Sequence, residues 1–124
     1  SNLTLASQSK GIIIQNGNFV KLDNVTITGS GAHGINVWGT NIGLEDSTIS
    51  GSTDTEIFAK FSTINLEKTA ITGTAGSDEI ELNYGSMLFI GTGTTITGTV
   101  TCDGSVDNNS ISNSINLSLT TSGC

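Results

Sequence analysis

Two short acidic segments contain the residue types that acid–base chemistry requires. The first holds Asp54 and Glu56, and the second holds Asp78, Glu79 and Glu81. Paired carboxylates can act as general acid and general base, and they can also bind calcium. Lys60 is the only nearby cation, and the chain contains no arginine. Solvated surface charge is the simpler interpretation of these carboxylates, and it is the one we favour.

A further acidic set follows a fixed spacing, because Asp23, Glu45 and Glu67 recur at equal steps along the chain. Like charges stacked on neighbouring strands are unfavourable, so nearby lysines or a weakly bound calcium ion would have to relieve them. Ordinary exposed side chains explain the set more simply, so we predict no cofactor and keep calcium as the alternative. His33 is the only histidine, which excludes a zinc site built from several histidines.

The spacing of these residues belongs to a repeat that runs through most of the chain. The glycines of three Ile-x-Gly segments, Gly29, Gly51 and Gly73, recur at a constant step of about 22 residues, and a fourth copy follows at Gly98. Leucines at 22, 44 and 66 keep the same step, and isoleucines at 12, 35, 57 and 80 form another column. Separate columns that share one period indicate stacked structural repeats.

Each repeat unit has the pattern of short strands. Apolar residues alternate in pairs such as Ile12/Ile14 and Ile35/Val37, which is typical of a strand with one buried face. One unit alone cannot bury its apolar residues, whereas stacked units can. The sequence therefore predicts an all-β fold: a single-stranded parallel β-helix of about five coils, with roughly 22 residues per coil.

Segments such as Asn24–Gly29 and Gly34–Val37 resemble the right-handed parallel β-helix superfamily. That group contains pectate-lyase-like enzymes, phage tailspikes and bacterial surface adhesins, and the resemblance covers roughly residues 11–120. It implies a right-handed helix. It also implies, as one alternative, a polysaccharide lyase or glycoside hydrolase fragment acting through Glu56, Glu79, Glu81 and Lys60.

The predicted strand register brings aromatic residues together on the outside of the first strand of each coil. One outward column contains Asn36 and Phe58, and its neighbour contains Trp38, Lys60 and Asn83. Aromatic rings edged by amides suit stacking on sugar rings, and they equally suit contact with another protein subunit. We predict that this face binds a glycan or forms a protein interface.

The third strand of each coil carries Thr on both sides of its buried Ile, as in Thr26/Thr28 and Thr95/Thr97. Ser50 and Ala70 interrupt this array. A regular array of hydroxyl and methyl groups resembles the Thr ladders of ice-binding solenoids, and it is also ordinary packing on a β surface. Ice binding is therefore a minor alternative.

Composition limits the partners and the compartment. The net charge is −7 and charged residues make up 12% of the chain, which excludes nucleic acid and anionic membrane surfaces as partners. No apolar run is long enough for membrane insertion. Cys102 and Cys124 are one coil length apart, and a disulfide between them would fix a weakly patterned last coil and favour an extracellular or cell- or virion-surface location.

We expect three regions: an N-terminal strand, cap or tag remnant over residues 1–10, regular coils over 11–101, and an irregular last coil over 102–124 closed by the disulfide. A short β-helix has open ends with unpaired backbone groups, so the favoured partners are copies of the chain itself, by coil stacking or as a trimer, and next polysaccharide. The sequence thus favours a non-enzymatic extracellular structural or adhesive module, such as a surface fibre, a filament subunit or a tailspike or adhesin segment.

Overall fold

The computed structural model describes residues 3–9, 11–73, 78–102 and 109–124, and in these residues it is all-β with no helix. Consequently no described segment forms a helix that is long and apolar enough to cross a membrane. Sixteen strands follow one another along the described chain. They are β1 (Leu3–Ala6), β2 (Ile12–Gln15), β3 (Phe19–Asp23), β4 (Val25–Thr28), β5 (Ile35–Trp38), β6 (Asn41–Glu45), β7 (Thr48–Ser50), β8 (Ile57–Lys60), β9 (Thr63–Glu67), β10 (Ala70–Thr72), β11 (Asp78–Asn83), β12 (Met87–Ile90), β13 (Thr95–Thr97), β14 (Thr99–Cys102), β15 (Ser110–Asn113) and β16 (Thr120–Ser122).

The strands form three parallel sheets, which confirms the predicted parallel β-helix of about five coils. Sheet A has the order β1-β4-β7-β10-β13, sheet B the order β16-β14-β11-β8-β5-β2, and sheet C the order β15-β12-β9-β6-β3. From β2 to β15 the chain visits B, C and A in turn, so each strand inside a sheet pairs with the strand one coil earlier and the strand one coil later. Neighbouring coils lie about 4.8 Å apart in such a stack.

The strand register confirms the columns that the repeat predicts. Ile35, Ile57 and Ile80 are direct partners on sheet B, as are Leu44 and Leu66 on sheet C and Ile49 and Ile71 on sheet A. Their side chains are buried and form one continuous core along the axis of the solenoid. Burial of a full isoleucine or leucine side chain contributes roughly 1.5–3 kcal/mol, so this core is the main source of stability.

Backbone conformation at the corners explains two features of the repeat. Gly29 and Gly51, at the corner between sheets A and B, have φ of 66° and 68°, a region that glycine enters without steric cost. Gly34 lies where sheet B begins, and a Cβ there would come within 2.6 Å of the Ile49 side chain and of the Glu56 carbonyl oxygen. The coils approach closely at this point because Gly34 has no side chain.

Buried hydroxyl groups also join the coils at the corner between sheets B and C. The backbone N–H of Thr40 donates to Ser62 Oγ at 3.3 Å, and the N–H of Ser62 donates to Ser86 Oγ at 3.1 Å. Each hydroxyl therefore satisfies a backbone donor of the coil before it, which a buried corner requires.

Described residues near both termini join the stack. β1 pairs in parallel with β4, so described residues near the N-terminus extend sheet A, while residues 1, 2 and 10 lie outside the described part of the chain. In the last coil β15 and β16 extend sheets C and B, and residues 103–108 lie outside the described part. The sulfur atoms of Cys102 and Cys124 are 2.06 Å apart, as the predicted disulfide requires. A disulfide is typical of an oxidising compartment.

Candidate functional site

The aromatic side chains that the sequence places on one face lie together on the outer surface of sheet B. Asn36, Phe58 and Glu81 are direct partners in one column, and Trp38 and Lys60 are partners in the next. Trp38 is 46% exposed, whereas Phe58 and Lys60 are half-buried. The alternation within β5 and β8 directs these side chains away from the core, because Ile35, Val37 and Ala59 occupy the inward positions.

Lys60 is at the centre of this group. Its Nζ atom lies 5.4 Å from the ring centroid of Trp38, 5.3 Å from that of Phe58 and 5.7 Å from that of Tyr84. All three distances are within the range of cation–π attraction. One ammonium group therefore lies within cation–π distance of three rings that belong to three successive coils. We call the surface formed by Trp38, Phe58, Lys60, Phe61 and Tyr84 the aromatic face.

Two members of the aromatic face occupy an unusual backbone conformation. Phe61 and Tyr84 follow β8 and β11 at the corner between sheets B and C, with φ of 50° and 55°. The two earlier coils place Asn16 and Gly39 there, the residue types that tolerate this conformation. The rings of Phe61 and Tyr84 stack with centroids 5.1 Å apart, and they are 60% and 45% exposed. Bulky residues at positive φ are a form of strain that often marks a functional surface.

The sequence pattern does not predict that Phe61 and Tyr84 belong to this face. Period-two alternation applies only within a strand, and both residues lie one position beyond a strand end. Their separation by one coil length is the one signal that could have paired them. His33 is a further addition, because its ring stacks on Phe58 with centroids 4.6 Å apart. His33 thus extends the aromatic face toward sheet A.

Asn83 differs from the expectation for this face. It is the register partner of Lys60, yet it is only 5% exposed and its amide donates to Glu81 Oε1 at 3.4 Å. Asn83 therefore cannot offer its side chain freely to an external ligand. Asn36 and Glu81 are half-buried, and both are register partners of Phe58, so they border the rings on sheet B.

The expectation of solvated surface charge is wrong for two of the acidic residues. Glu56 is 0% exposed and Glu79 is 3% exposed. Glu56 Oε1 accepts a hydrogen bond of 2.6 Å from the backbone N–H of Ser52, while its Oε2 has no hydrogen-bond partner. Burial raises the pKa of Glu56, the hydrogen bonds with Ser52 oppose this shift, and the charge of Glu79 adds to it. The carboxyl of Glu79 accepts from the backbone N–H of Thr99.

Burial removes both carboxyl groups from contact with a polymer on the outer surface. A general acid or base must come within hydrogen-bonding distance of its substrate, and of the three carboxylates proposed for this role only Glu81 reaches the surface. The arrangement of Glu56, Glu79, Glu81 and Lys60 therefore gives the enzymatic alternative no pair of accessible carboxylates.

The acidic column of Asp23, Glu45 and Glu67 is stacked on sheet C as the spacing predicts. Lys21 Nζ lies 2.6 Å from Glu45 Oε2, and this contact lowers the pKa of Glu45 and raises that of Lys21. A lysine thus relieves the stacked charge. In the part of the chain that the structure describes, no group of three or more potential metal ligands comes together.

Sheet C also carries a groove that the sequence does not predict. It has a volume of about 470 Å³, and Phe19 and Phe89 are two of its lining residues. Gly43 leaves room in its floor, and a Cβ there would come within 3.0 Å of the Phe19 ring. The groove depends on the absence of a side chain at Gly43, and no pattern of residue types in the sequence indicates it.

Comparison with known proteins adds no relative: no protein-family model, no curated protein and no solved structure matches this chain. The assignment as a parallel β-helix therefore rests on the repeat and the fold, and function must be argued from the surfaces of this chain.

Proposed function

We propose that this chain is an extracellular structural module of the adhesive type, and that its aromatic face binds a neutral glycan. The observation that carries the proposal is the position of Lys60 between the rings of Trp38, Phe58 and Tyr84. Attraction to the ammonium group favours this arrangement of the rings before a ligand binds, and rings restricted in this way lose less conformational entropy on binding.

The chemistry of the aromatic face favours a sugar polymer. Exposed faces of Trp38, Phe61 and Tyr84 offer apolar area to the C–H surfaces of pyranose rings. Asn36 and Glu81 supply hydrogen-bonding groups for hydroxyls at the border of the rings. The net charge of −7 disfavours polyanions, which points to an uncharged polysaccharide. The disulfide is consistent with an extracellular location.

Trp38 is the only tryptophan, so its fluorescence reports directly on the aromatic face. Titration with neutral β-glucans, mannans and xylans is expected to shift or quench this fluorescence, with alginate and polygalacturonate as anionic comparisons. We expect Trp38→Ala to weaken retention of the protein in affinity electrophoresis at least about tenfold, which corresponds to about 1.4 kcal/mol.

Phe19→Ala is the matched control, because it removes an exposed aromatic ring from sheet C and leaves sheet B intact. Retention that is equally reduced in both variants would indicate nonspecific hydrophobic adsorption. If neither the wild-type chain nor Phe19→Ala binds any of these polysaccharides, the glycan proposal is wrong.

A second candidate function is favoured by sheet A. The structure adds β1 to the Thr array, so that Thr4 pairs with Thr26 and Ala6 pairs with Thr28. The outer face of sheet A then has five rungs of Thr, Ser and Ala with no charged residue. Its two columns are Thr4, Thr26, Thr48, Ala70 and Thr95, and Ala6, Thr28, Ser50, Thr72 and Thr97. Binding to ice is the function that such an array would serve, and thermal hysteresis is the measurement that tests it.

A further inference from the structure

The groove on sheet C lies on the side of the solenoid and not at one of its ends. Its central residues belong to β6, β9 and β12, each of which pairs with a strand on both sides. Its volume of about 470 Å³ is that of a small-molecule site. The register places Phe89 in one outward column of the groove, and Glu45 and Glu67 in the neighbouring column. The groove therefore has an aromatic side and an acidic side.

Two exposed rings border the aromatic side. The ring of Phe19 lies against Gly43, because a Cβ added at Gly43 would come within 3.0 Å of it. Asn65 is the register partner of both Gly43 and Phe89, so these two positions are two rungs, or about 10 Å, apart. The floor between them is fixed, since Asn65 Nδ2 donates to Asn41 Oδ1 at 3.1 Å. One apolar group lying over this floor can contact both rings at ordinary van der Waals distances.

The acidic side has one carboxylate that a lysine neutralises and one that is left open. Lys21 Nζ lies 2.6 Å from Glu45 Oε2, and the pKa of Lys21 is raised most by Glu45 and least by Glu67. Glu67 is exposed and forms no ion pair with any residue that the structure describes. One lysine and two glutamates give the lining a net charge of −1, and Asp23 and Lys68 add one charge of each sign from outside it. The groove therefore complements a single positive charge.

The absence of a side chain beside Glu67 leaves room for this charge. The N–H of Gly91 donates to the carbonyl oxygen of Leu66 at 2.7 Å, and a Cβ at Gly91 would lie 3.9 Å from Glu67 Cβ. Phe89 pairs with Asn65, which makes Phe89 and Glu67 diagonal neighbours, about 7–8 Å apart. An ammonium group over Gly91 can therefore contact the Glu67 carboxylate and the Phe89 ring together, by ion pairing and by cation–π attraction.

We propose that the groove on sheet C binds a small organic cation, with its ammonium group between Glu67 and Phe89 and its apolar body reaching the ring of Phe19. Gly91 and Gly43 mark the two ends of this site. They are separated by two rungs and by one two-residue step along the strand, or about 12 Å, which an arylalkyl amine spans. The net charge of −7 adds a long-range attraction for cations. This site goes beyond the glycan proposal, because it uses another sheet and a ligand of another charge.

The test uses three probes of similar length that differ in charge: 4-phenylbutylamine, 4-phenylbutan-1-ol and 4-phenylbutyrate. An NMR titration of the backbone amides near neutral pH measures both the affinity and the location of each probe. We expect the amine to shift the amide signals of Gly43 and Gly91. We also expect the amine to bind about tenfold more tightly than the alcohol, and the butyrate not to bind.

The variants separate the charge from the rings. Glu67→Gln keeps the size of the side chain and removes its charge, so we expect about a fivefold loss of affinity for the amine and no change for the alcohol. Phe89→Ala should weaken the binding of both probes. Asp54→Asn is the control, since Asp54 is exposed between β7 and β8, away from sheet C, and the substitution makes the same change in net charge. Circular dichroism shows whether each variant is folded.

Several results would overturn the proposal. An equal loss of amine affinity in Glu67→Gln and Asp54→Asn would assign the attraction to the net charge of the chain. An alcohol that binds as tightly as the amine would show that the groove selects apolar groups only. Shifts centred on Trp38 would place the amine on sheet B, and no shift with any probe would show that the groove is not a site for this ligand class. Binding of a neutral glycan uses sheet B, so its failure leaves this test unaffected.

Discussion

At the scale of single residues, the sequence predicts the positions of Glu56 and Glu79 but not their burial. The repeat correctly predicts that both lie beside the isoleucines of sheet B, because each directly precedes Ile57 or Ile80. It does not predict burial. Glu56 precedes the first residue of β8, and Glu79 lies at an irregularity in the pairing of β11, so the alternation of a regular strand applies to neither side chain.

Glu56 makes the stability of the fold depend on pH. Its pKa is raised above the ordinary value of 4.5, chiefly by burial. Below 4.5 the carboxyl is protonated in both the folded and the unfolded chain, and its contribution to stability is fully present. Between pH 4.5 and the raised pKa, the unfolded chain has released this proton while the folded chain still holds it. The free energy of unfolding therefore falls as the pH rises through this window. We expect Glu56→Gln to remove this fall, as measured by urea unfolding at a series of pH values.

The glutamine can still accept the hydrogen bond from Ser52, so Glu56→Gln changes the charge without removing that contact. Asp54→Asn is the control, since Asp54 is exposed at the same corner and its substitution makes the same change in net charge. If both variants lose the pH dependence equally, the effect belongs to the net charge of −7 and not to the buried carboxyl.

At the scale of strands and sheets, the period of the sequence predicts the strand pairs that recur in each coil, and it does not predict features that occur in only some coils. The strand pairs that hold Trp38 beside Lys60, and Ile35 beside Ile57, follow from the constant coil length. The corners are different, because Phe61 and Tyr84 have the backbone conformation that Asn16 and Gly39 adopt in other coils, and no apolar period specifies it. The groove on sheet C depends equally on a local exception, the absence of a side chain at Gly43.

Sheet A gives the prediction that belongs to this scale. If its five rungs bind ice, then a bulky side chain at the central rung must break the flat contact, because a rigid crystal surface cannot adapt to it. We expect Thr48→Tyr to abolish the thermal hysteresis of the wild-type chain and leave the fold intact, as judged by circular dichroism.

Thr63→Tyr is the matched variant, since Thr63 is the register partner of Asn41 on sheet C, away from the Thr columns. It should retain full thermal hysteresis. No hysteresis in the wild-type chain would exclude ice binding, and an equal loss in both variants would show that the effect does not belong to sheet A.

At the scale of the whole molecule, the solenoid is a chain of coils in which each coil touches only the next. Stability in such a molecule is close to a sum of the coils and their interfaces, so a local change should remain local. The interior coils have neighbours on both sides and a fully buried core, whereas among the described residues the first and last coils each pair with one other coil. The last coil has in addition the disulfide between Cys102 and Cys124.

Reduction of the disulfide between Cys102 and Cys124 should therefore release the last coil and leave the rest of the stack in place. A closed loop of this length contributes about 3 kcal/mol in the loop-entropy treatment. We expect backbone amides in β15 and β16 to exchange with solvent much faster after reduction, and amides in β5 and β8 to keep their protection, as measured by hydrogen exchange with mass spectrometry. The Cys102→Ser/Cys124→Ser double variant should behave like the reduced protein without any reductant. Uniformly faster exchange in all coils would contradict this expectation, because it would show that the solenoid unfolds as a single cooperative unit.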